Sequence, residues 1–102
     1  MRIDSSLSGD KACLSLSGRF DFHAHREFRS AYEKVLASEA VREIEVDFDG
    51  VDYLDSSALG MLLLLREKAE AQGSSVTLSG LRGTVKQMLD IANFGKLFAI
   101  KA

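Results

Sequence analysis

The sequence predicts an α/β fold in which helices cover a mixed β-sheet, in the element order β-β-α-β-α-β-α-β. Apolar and polar residues alternate near the N-terminus and over residues 43–48, as they do in half-buried strands. Three other segments repeat apolar residues at helical spacing. Strands that alternate with helices after position 18 favour parallel pairing, while the opening strand pair adds antiparallel pairing.

The N-terminal half is predicted to contain three strands and one helix. Residues 2–7 and 11–18 form two strands around a tight turn, because Gly9 tolerates the positive φ that a short hairpin requires. Residues 43–48 form the third strand, and we interpret residues 49–52 as a turn. A helix from about residue 24 to 38 lies before this strand and has its apolar residues on one face: Ala24, Phe28, Ala31, Tyr32, Val35 and Leu36.

The C-terminal half is predicted to contain two helices and two short strands. The first helix covers about residues 57–72, and residues 76–78 form the strand after it. A third helix, opened by Thr84, repeats apolar residues three and four positions apart. Gly95 can end this helix, after which residues 97–100 add a last strand.

Five consecutive apolar residues, Met61 to Leu65, follow the start of the second predicted helix. A helix that packs between a sheet and a neighbouring helix is apolar all round, so we expect Leu62 to Leu65 to pack in the core. Five such residues cannot all face one core, however, and some remain available to a partner. The sequence leaves open whether Leu59 and Met61 are exposed.

The length and composition predict one compact domain over residues 1–102. The 102 residues are too few for two domains, and an apolar content of 46% is typical of a folded globular protein. The net charge is −2 and the basic residues are spread along the chain, which argues against a nucleic-acid partner. We expect the protein to be a monomer.

Three features favour a cytoplasmic location. Cys13 is the sole cysteine, which excludes an intrachain disulfide and is consistent with a reducing compartment. The N-terminal residues lack the apolar core of a signal peptide. The longest apolar run, Leu54 to Leu65, is interrupted by Asp55, Ser56 and Ser57, so we expect no membrane insertion.

The hexapeptide Asp55-Ser56-Ser57-Ala58-Leu59-Gly60 lies where a strand gives way to a helix. Asp55 or Ser56 is predicted to cap the helix, which places a hydroxyl near backbone N–H groups and the positive end of the helix dipole. Such a position favours a phosphate. The alternative is that Ser56 only caps the helix, and Ser57 is a second hydroxyl that can be mistaken for the modified one.

This hexapeptide resembles the signature of the anti-sigma factor antagonist family, the small SpoIIAA-like STAS domains. Ala58 stands where many members have glycine. The segment Gly18-Arg19-Phe20-Asp21 is similar to the one that closes the second strand in the family, and residues 85–91 are similar to its third helix. The resemblance covers nearly the whole chain and implies the STAS fold.

The resemblance implies a binding protein that is switched by phosphorylation. In the family, the unphosphorylated antagonist binds an anti-sigma factor, often a GHKL-type serine kinase, and the sigma factor is released. The kinase phosphorylates the serine after the aspartate, which is Ser56 here, and a PP2C-type phosphatase reverses the modification. The resemblance also implies that the partner-binding surface includes Ser56 and its neighbours Asp21, Asp55, Ser57, Leu59 and Gly60, although helix capping alone also explains Asp21.

No residue pattern in the sequence indicates catalysis, a metal or a cofactor. Ser56 lacks the Gly-x-Ser-x-Gly context of a hydrolase, and no Walker or dinucleotide-binding glycine pattern occurs. Asp52 and Asp55 lack the further ligands of a Mg²⁺ site. His23 and His25 diverge as i, i+2 neighbours on a helix, so they do not form a zinc pair. We expect the protein not to be an enzyme.

A second interpretation keeps the same fold without the switch. STAS domains also act as unswitched scaffold or accessory subunits, for example in stress-sensing assemblies or lipid-transport complexes. A scaffold is expected to bind its partner regardless of a charge at Ser56, whereas an antagonist is expected to lose its partner.

Overall fold

A five-stranded mixed sheet forms the centre of the computed structural model, which describes residues 1–101. The strands lie in sequence order across the sheet: β1 (Arg2–Ser8), β2 (Lys11–Phe20), β3 (Glu43–Leu54), β4 (Ser75–Ser79) and β5 (Ala99–Ile100). The β1–β2 pair is antiparallel and the three later pairs are parallel. The helices are α1 (His25–Leu36), α2 (Ser56–Ala71) and α3 (Gly83–Ile91), with 3₁₀ turns at Phe22–Ala24 and Phe94–Lys96. The predicted fold class and element order are confirmed.

One apolar cluster holds the sheet and the helices together. Alternate residues of the central strands are buried, and the apolar faces of α1 and α2 are buried in the same cluster. Its aromatic centre joins β2 to α1, because the ring of Phe20 lies 4.9 Å from that of Phe28 and 6.2 Å from that of Phe48. Within residues 1–101, no helix is both long and apolar enough to cross a membrane.

β3 continues through the segment that the sequence predicted as a turn. Residues 49–52 stay in the strand, which ends at Leu54. At two places, one before and one after Gly18 of β2, β3 advances one residue further than β2, which changes the pairing and therefore the alternation of buried and exposed residues on β3. The strands also approach closely here, since a Cβ on Gly50 would lie 2.7 Å from the Cβ of Ser17. The turn prediction was wrong because the glycine serves a close strand contact instead.

The leucine run at the start of α2 is only half buried. Leu62 and Leu65 are fully buried, but Leu63 and Leu64 are 40% and 46% exposed, so the prediction that all four pack in the core was wrong. α2 packs against the sheet and α1 but leaves one side open, and four consecutive residues turn through a full helical circle. Of the two residues that were left open, Met61 is buried and Leu59 is half-buried.

Glu45 links three polar side chains on the face of the sheet opposite the apolar cluster. Its carboxylate lies 2.9 Å from Nζ of Lys11 and 3.5 Å from Nζ of Lys101, and it accepts a hydrogen bond of 2.7 Å from the Ser79 hydroxyl. The hydrogen bond from Lys11 is the largest cause, and that from Ser79 the next, of a pKa of about 2 for Glu45. Glu45 is therefore ionised in the folded protein at neutral pH.

Replacing Glu45 by glutamine is expected to lower the free energy of unfolding by about 1–2 kcal/mol at pH 7, after screening by solvent is allowed for. The pKa of Glu45 falls from the ordinary 4.5 to about 2 on folding, so its contribution is complete above pH 4.5 and is lost as the pH falls towards 2. Urea unfolding of both proteins from pH 7 to pH 2.5 measures this difference. Glu39→Gln, at an exposed residue, is the control. A difference that does not shrink in acid would contradict the assignment.

Candidate functional site

The carboxylate of Asp55 caps the N-terminus of α2. Asp55 has an extended backbone, with φ −113° and ψ −179°, and its Oδ1 accepts a hydrogen bond of 3.1 Å from the Ala58 N–H. This geometry is that of an N-cap, which satisfies a backbone donor that the first helical turn leaves without a partner. Of the two caps that the sequence allowed, the structure has Asp55, and Ser56 is the first residue of the helix.

Ser57 supports this cap with its side chain. The Ser57 hydroxyl donates a hydrogen bond of 2.6 Å to Oδ1 of Asp55, and the residue is half-buried. Burial by itself raises the pKa of Asp55, but hydrogen bonds from Ser57 and from the N–H groups of Ala58 and Phe22 outweigh it and lower that pKa. The Asp55 carboxylate is thus ionised, and its Oδ1 accepts hydrogen bonds from both Ser57 and Ala58.

Ser56 differs from Ser57 in both exposure and hydrogen bonding. Ser56 is exposed, and its hydroxyl makes no hydrogen bond to another residue in the part of the chain that the structure describes. It lies in the first turn of α2, where backbone N–H groups point outwards and the helix dipole is positive. A phosphoryl group on this hydroxyl would meet solvent and a favourable field, whereas one on Ser57 would break the Asp55 cap.

Asp21 lies beside this helix start because β2 and β3 end together. Phe20 pairs with Leu54 in the parallel register, and the Asp55 N–H donates a hydrogen bond of 3.3 Å to the carbonyl oxygen of Phe20. The Asp21 carboxylate accepts a hydrogen bond of 3.0 Å from the His23 N–H, which caps the 3₁₀ turn. The structure therefore brings Asp21 and the hexapeptide to the same end of the sheet, and capping occupies one oxygen of Asp21.

Two exposed aromatic residues near this corner were missed by the sequence analysis. Phe22 is 71% exposed and Tyr53 is 40% exposed. The Arg19 guanidinium stacks over the Tyr53 ring at 3.9 Å from its centroid and lies 3.6 Å from the Asp21 carboxylate. A large apolar residue in the short segment between a strand and a helix is the signal that could have identified Phe22.

The exposed side of α2 continues from Ser56 along the helix. We call this surface the outer face of α2; it consists of Ser56, Gly60, Leu63, Leu64 and Glu67. Leu59 lies half-buried at its border. A Cβ on Gly60 would meet no heavy atom within 4 Å, so no packing within this chain requires a glycine. Glycine in the interior of a helix costs about 0.5–1 kcal/mol relative to alanine.

Known proteins share both the sequence and the fold of this chain. The family model described as "Mlab, STAS domain" matches residues 3–99. A STAS-domain containing protein of Pseudomonas aeruginosa (strain UCBPP-PA14) is 44% identical over 95 residues, which cover 93% of this chain and 92% of that protein.

Solved structures share the fold at lower identity. The anti-sigma factor antagonist SpoIIAA in its unphosphorylated form is 22% identical with a TM-score of 0.78, and the alignment covers 99% of this chain and 88% of the other. The Bacillus cell fate determinant SpoIIAA in the phosphorylated form is 20% identical with a TM-score of 0.76, covering 99% and 92%. The fold of this chain is thus that of solved anti-sigma factor antagonists in both states.

Proposed function

The chain belongs to the STAS domain family, and we propose that it is an anti-sigma factor antagonist switched by phosphorylation of Ser56. In this proposal the unphosphorylated protein binds an anti-sigma factor that is also a GHKL-type serine kinase, and the sigma factor is released. Phosphorylation of Ser56 ends the binding, and a PP2C-type phosphatase restores it. The protein itself catalyses no reaction, and Asp21, Asp55, Ser57, Leu59 and Gly60 lie in or beside the surface that meets the partner.

The observation that carries this proposal is the difference between two neighbouring hydroxyls. The Ser57 hydroxyl is engaged by Asp55 at 2.6 Å in a half-buried position, while the Ser56 side chain is exposed at the first residue of α2. A kinase must bring the acceptor hydroxyl to within bonding distance of the γ-phosphate of ATP. An exposed hydroxyl on a rigid helix start meets this need without unfolding, so Ser56 is the favoured acceptor.

The same position explains how one modification can act on binding more than on folding. Phosphorylation adds about −1.5 to −2 charges at neutral pH. At the start of a helix the dipole stabilises an added anion by about 0.3–1 kcal/mol, and the neighbouring Asp55 carboxylate opposes this gain. An interface is affected far more strongly, because burying an uncompensated dianion against a partner costs several kcal/mol.

Alanine substitution of the two serines tests the assignment. Incubation with ATP and the purified GHKL-type kinases of the source genome, taken one at a time, is expected to add the mass of one phosphate to the wild type. Ser57→Ala is expected to remain a substrate and to lose about 0.5–2 kcal/mol of stability, because the cap loses its support. Ser56→Ala is expected to gain no phosphate, as intact-protein mass spectrometry can show.

If phosphate is still incorporated in Ser56→Ala but not in Ser57→Ala, the modified residue is Ser57. If no kinase modifies the wild type, the unswitched scaffold becomes the better interpretation. In that case Ser56→Asp is expected to leave partner binding unchanged.

A further inference from the structure

No contact within this chain requires a glycine at Gly60, on the outer face of α2. Its surroundings are open and its backbone is that of an ordinary helix, so alanine would fit there. Alanine would also favour the helix, because glycine has the larger conformational freedom to lose. A glycine on an exposed helix leaves a notch in which another chain can approach the backbone closely. Contact with a partner therefore accounts for a residue that folding alone disfavours.

The notch lies next to the hydroxyl of Ser56. Residues four apart on a helix are neighbours, with Cβ positions about 5–6 Å apart. A phosphoryl group on Ser56 would therefore occupy space beside the notch, where it meets any group that enters. This deepens the proposed function and rests on it, since the notch supplies a steric reason for release in addition to the charge.

The charges around the outer face indicate the chemistry of the partner. From Ser56 to Leu64 the outer face carries no charge, and its two leucines are apolar. The nearby cations are already paired, because Arg66 lies 3.1 Å from Glu70, and Lys68 lies 3.3 Å from Glu33. Glu67 is exposed and has no ion pair within residues 1–101. The free charge of this face is thus negative, which is complementary to a basic partner.

We propose that the outer face of α2 receives a helix of the anti-sigma partner. A small or aliphatic side chain of that helix enters the notch at Gly60, its apolar residues cover Leu63 and Leu64, and a lysine or arginine lies opposite Glu67. Helix-on-helix contact suits this face, because Ser56, Gly60 and Leu64 are spaced four positions apart and such rows of residues pack against those of a second helix. The methyl group that Gly60→Ala adds in the notch should then weaken binding, although it carries no charge.

The test compares Gly60→Ala with Gly95→Ala, a matched control. Gly95 also has open surroundings and no positive φ, so the added methyl group is tolerated there as well. Binding to each purified GHKL-type serine kinase of the source genome is measured by calorimetry in the absence of ATP, so that Ser56 stays unphosphorylated. Gly60→Ala is expected to bind about tenfold more weakly than wild type. Its urea midpoint is expected to rise, and Gly95→Ala is expected to bind like wild type.

A charge reversal tests the chemistry of the partner separately. Glu67→Lys is expected to weaken binding about threefold to tenfold, with a slower association at low salt. Glu39→Lys makes the same change at an exposed residue outside the outer face and is expected to leave binding unchanged. Wild-type affinity in Glu67→Lys would exclude a basic residue at this position of the partner.

The outcomes separate this inference from the proposed function. If Gly60→Ala binds like wild type while Ser56→Asp does not bind, the switch holds and the notch is refuted. A lower urea midpoint in Gly60→Ala would remove the premise that the fold does not need the glycine. If no kinase binds the wild type, or if Ser56→Asp binds equally well, the proposed function fails and the inference fails with it.

Discussion

Replacing Ser56 by aspartate is expected to weaken binding of the anti-sigma partner by about a hundredfold or more. Ser56 is exposed at the first residue of α2, so the new carboxylate would point into the proposed interface. The free energy of unfolding is expected to change by less than about 0.5 kcal/mol, because the helix dipole and the Asp55 carboxylate act in opposite directions. Calorimetric binding and urea unfolding of the same preparations give the two quantities side by side.

The matched control is Ser8→Asp, which adds the same charge at an exposed residue. Ser8 precedes the β1–β2 turn, and β2 begins next to it and ends at the Asp21 corner, so Ser8 lies at the far end of the strand from Ser56. Ser8→Asp is expected to bind like wild type. An equal loss in both variants would attribute the effect to total charge, and no loss in Ser56→Asp would contradict the switch.

Replacing Gly80 by alanine is expected to lower the free energy of unfolding by about 2–4 kcal/mol. Gly80 has a φ of +68°, which L-residues rarely adopt. A Cβ there would also lie 2.5 Å from Oδ1 of Asp47 and 2.7 Å from the backbone N of Asp49. The N–H of Asp49 already donates a hydrogen bond of 2.9 Å to that Asp47 oxygen, so the methyl group would disrupt it. Urea unfolding measures the loss.

Gly9→Ala measures the backbone strain without the steric contacts. Gly9 has a similar φ of +62°, but a Cβ there would meet nothing within 4 Å. Its loss is therefore expected to be about 1–2 kcal/mol, from backbone strain alone. Equal losses in the two variants would show that the contacts with Asp47 and Asp49 relax at no cost.

The Gly80 contacts also connect the fold to the candidate site. Arg82, in the same loop, donates a hydrogen bond to the carbonyl oxygen of Asp49 and lies 3.6 Å from its carboxylate. The loop between β4 and α3 is thereby attached to the middle of β3. The second half of β3 leads directly to Asp55 and Ser56, so we expect Gly80→Ala to loosen the site as well as the fold.

Local sequence signals were sufficient for the elements and for the helix start. Alternation predicted the first half of β3, and periodic apolar residues predicted α1 and α3, because both patterns depend on neighbours within one or two turns. The cap was predicted for the same reason, since a capping aspartate bonds to N–H groups only two or three residues away. The end of β3 was poorly predicted, because its second half carries two extra residues relative to β2, and this irregularity is defined only by the pairing with that strand.

The element order, the mixed sheet and the hydroxyl-rich helix start were predictable from the sequence, because they follow from short-range spacing and residue type. The exposure of the individual leucines of α2 was not predictable in this way, since it depends on how the sheet and α1 cover the helix. The difference between the engaged Ser57 and the exposed Ser56 also depends on the fold, because the Asp55 N–H donates a hydrogen bond to the carbonyl oxygen of Phe20 across the end of the sheet, which positions the carboxylate that accepts from Ser57. Contacts between segments distant in the chain carry that information.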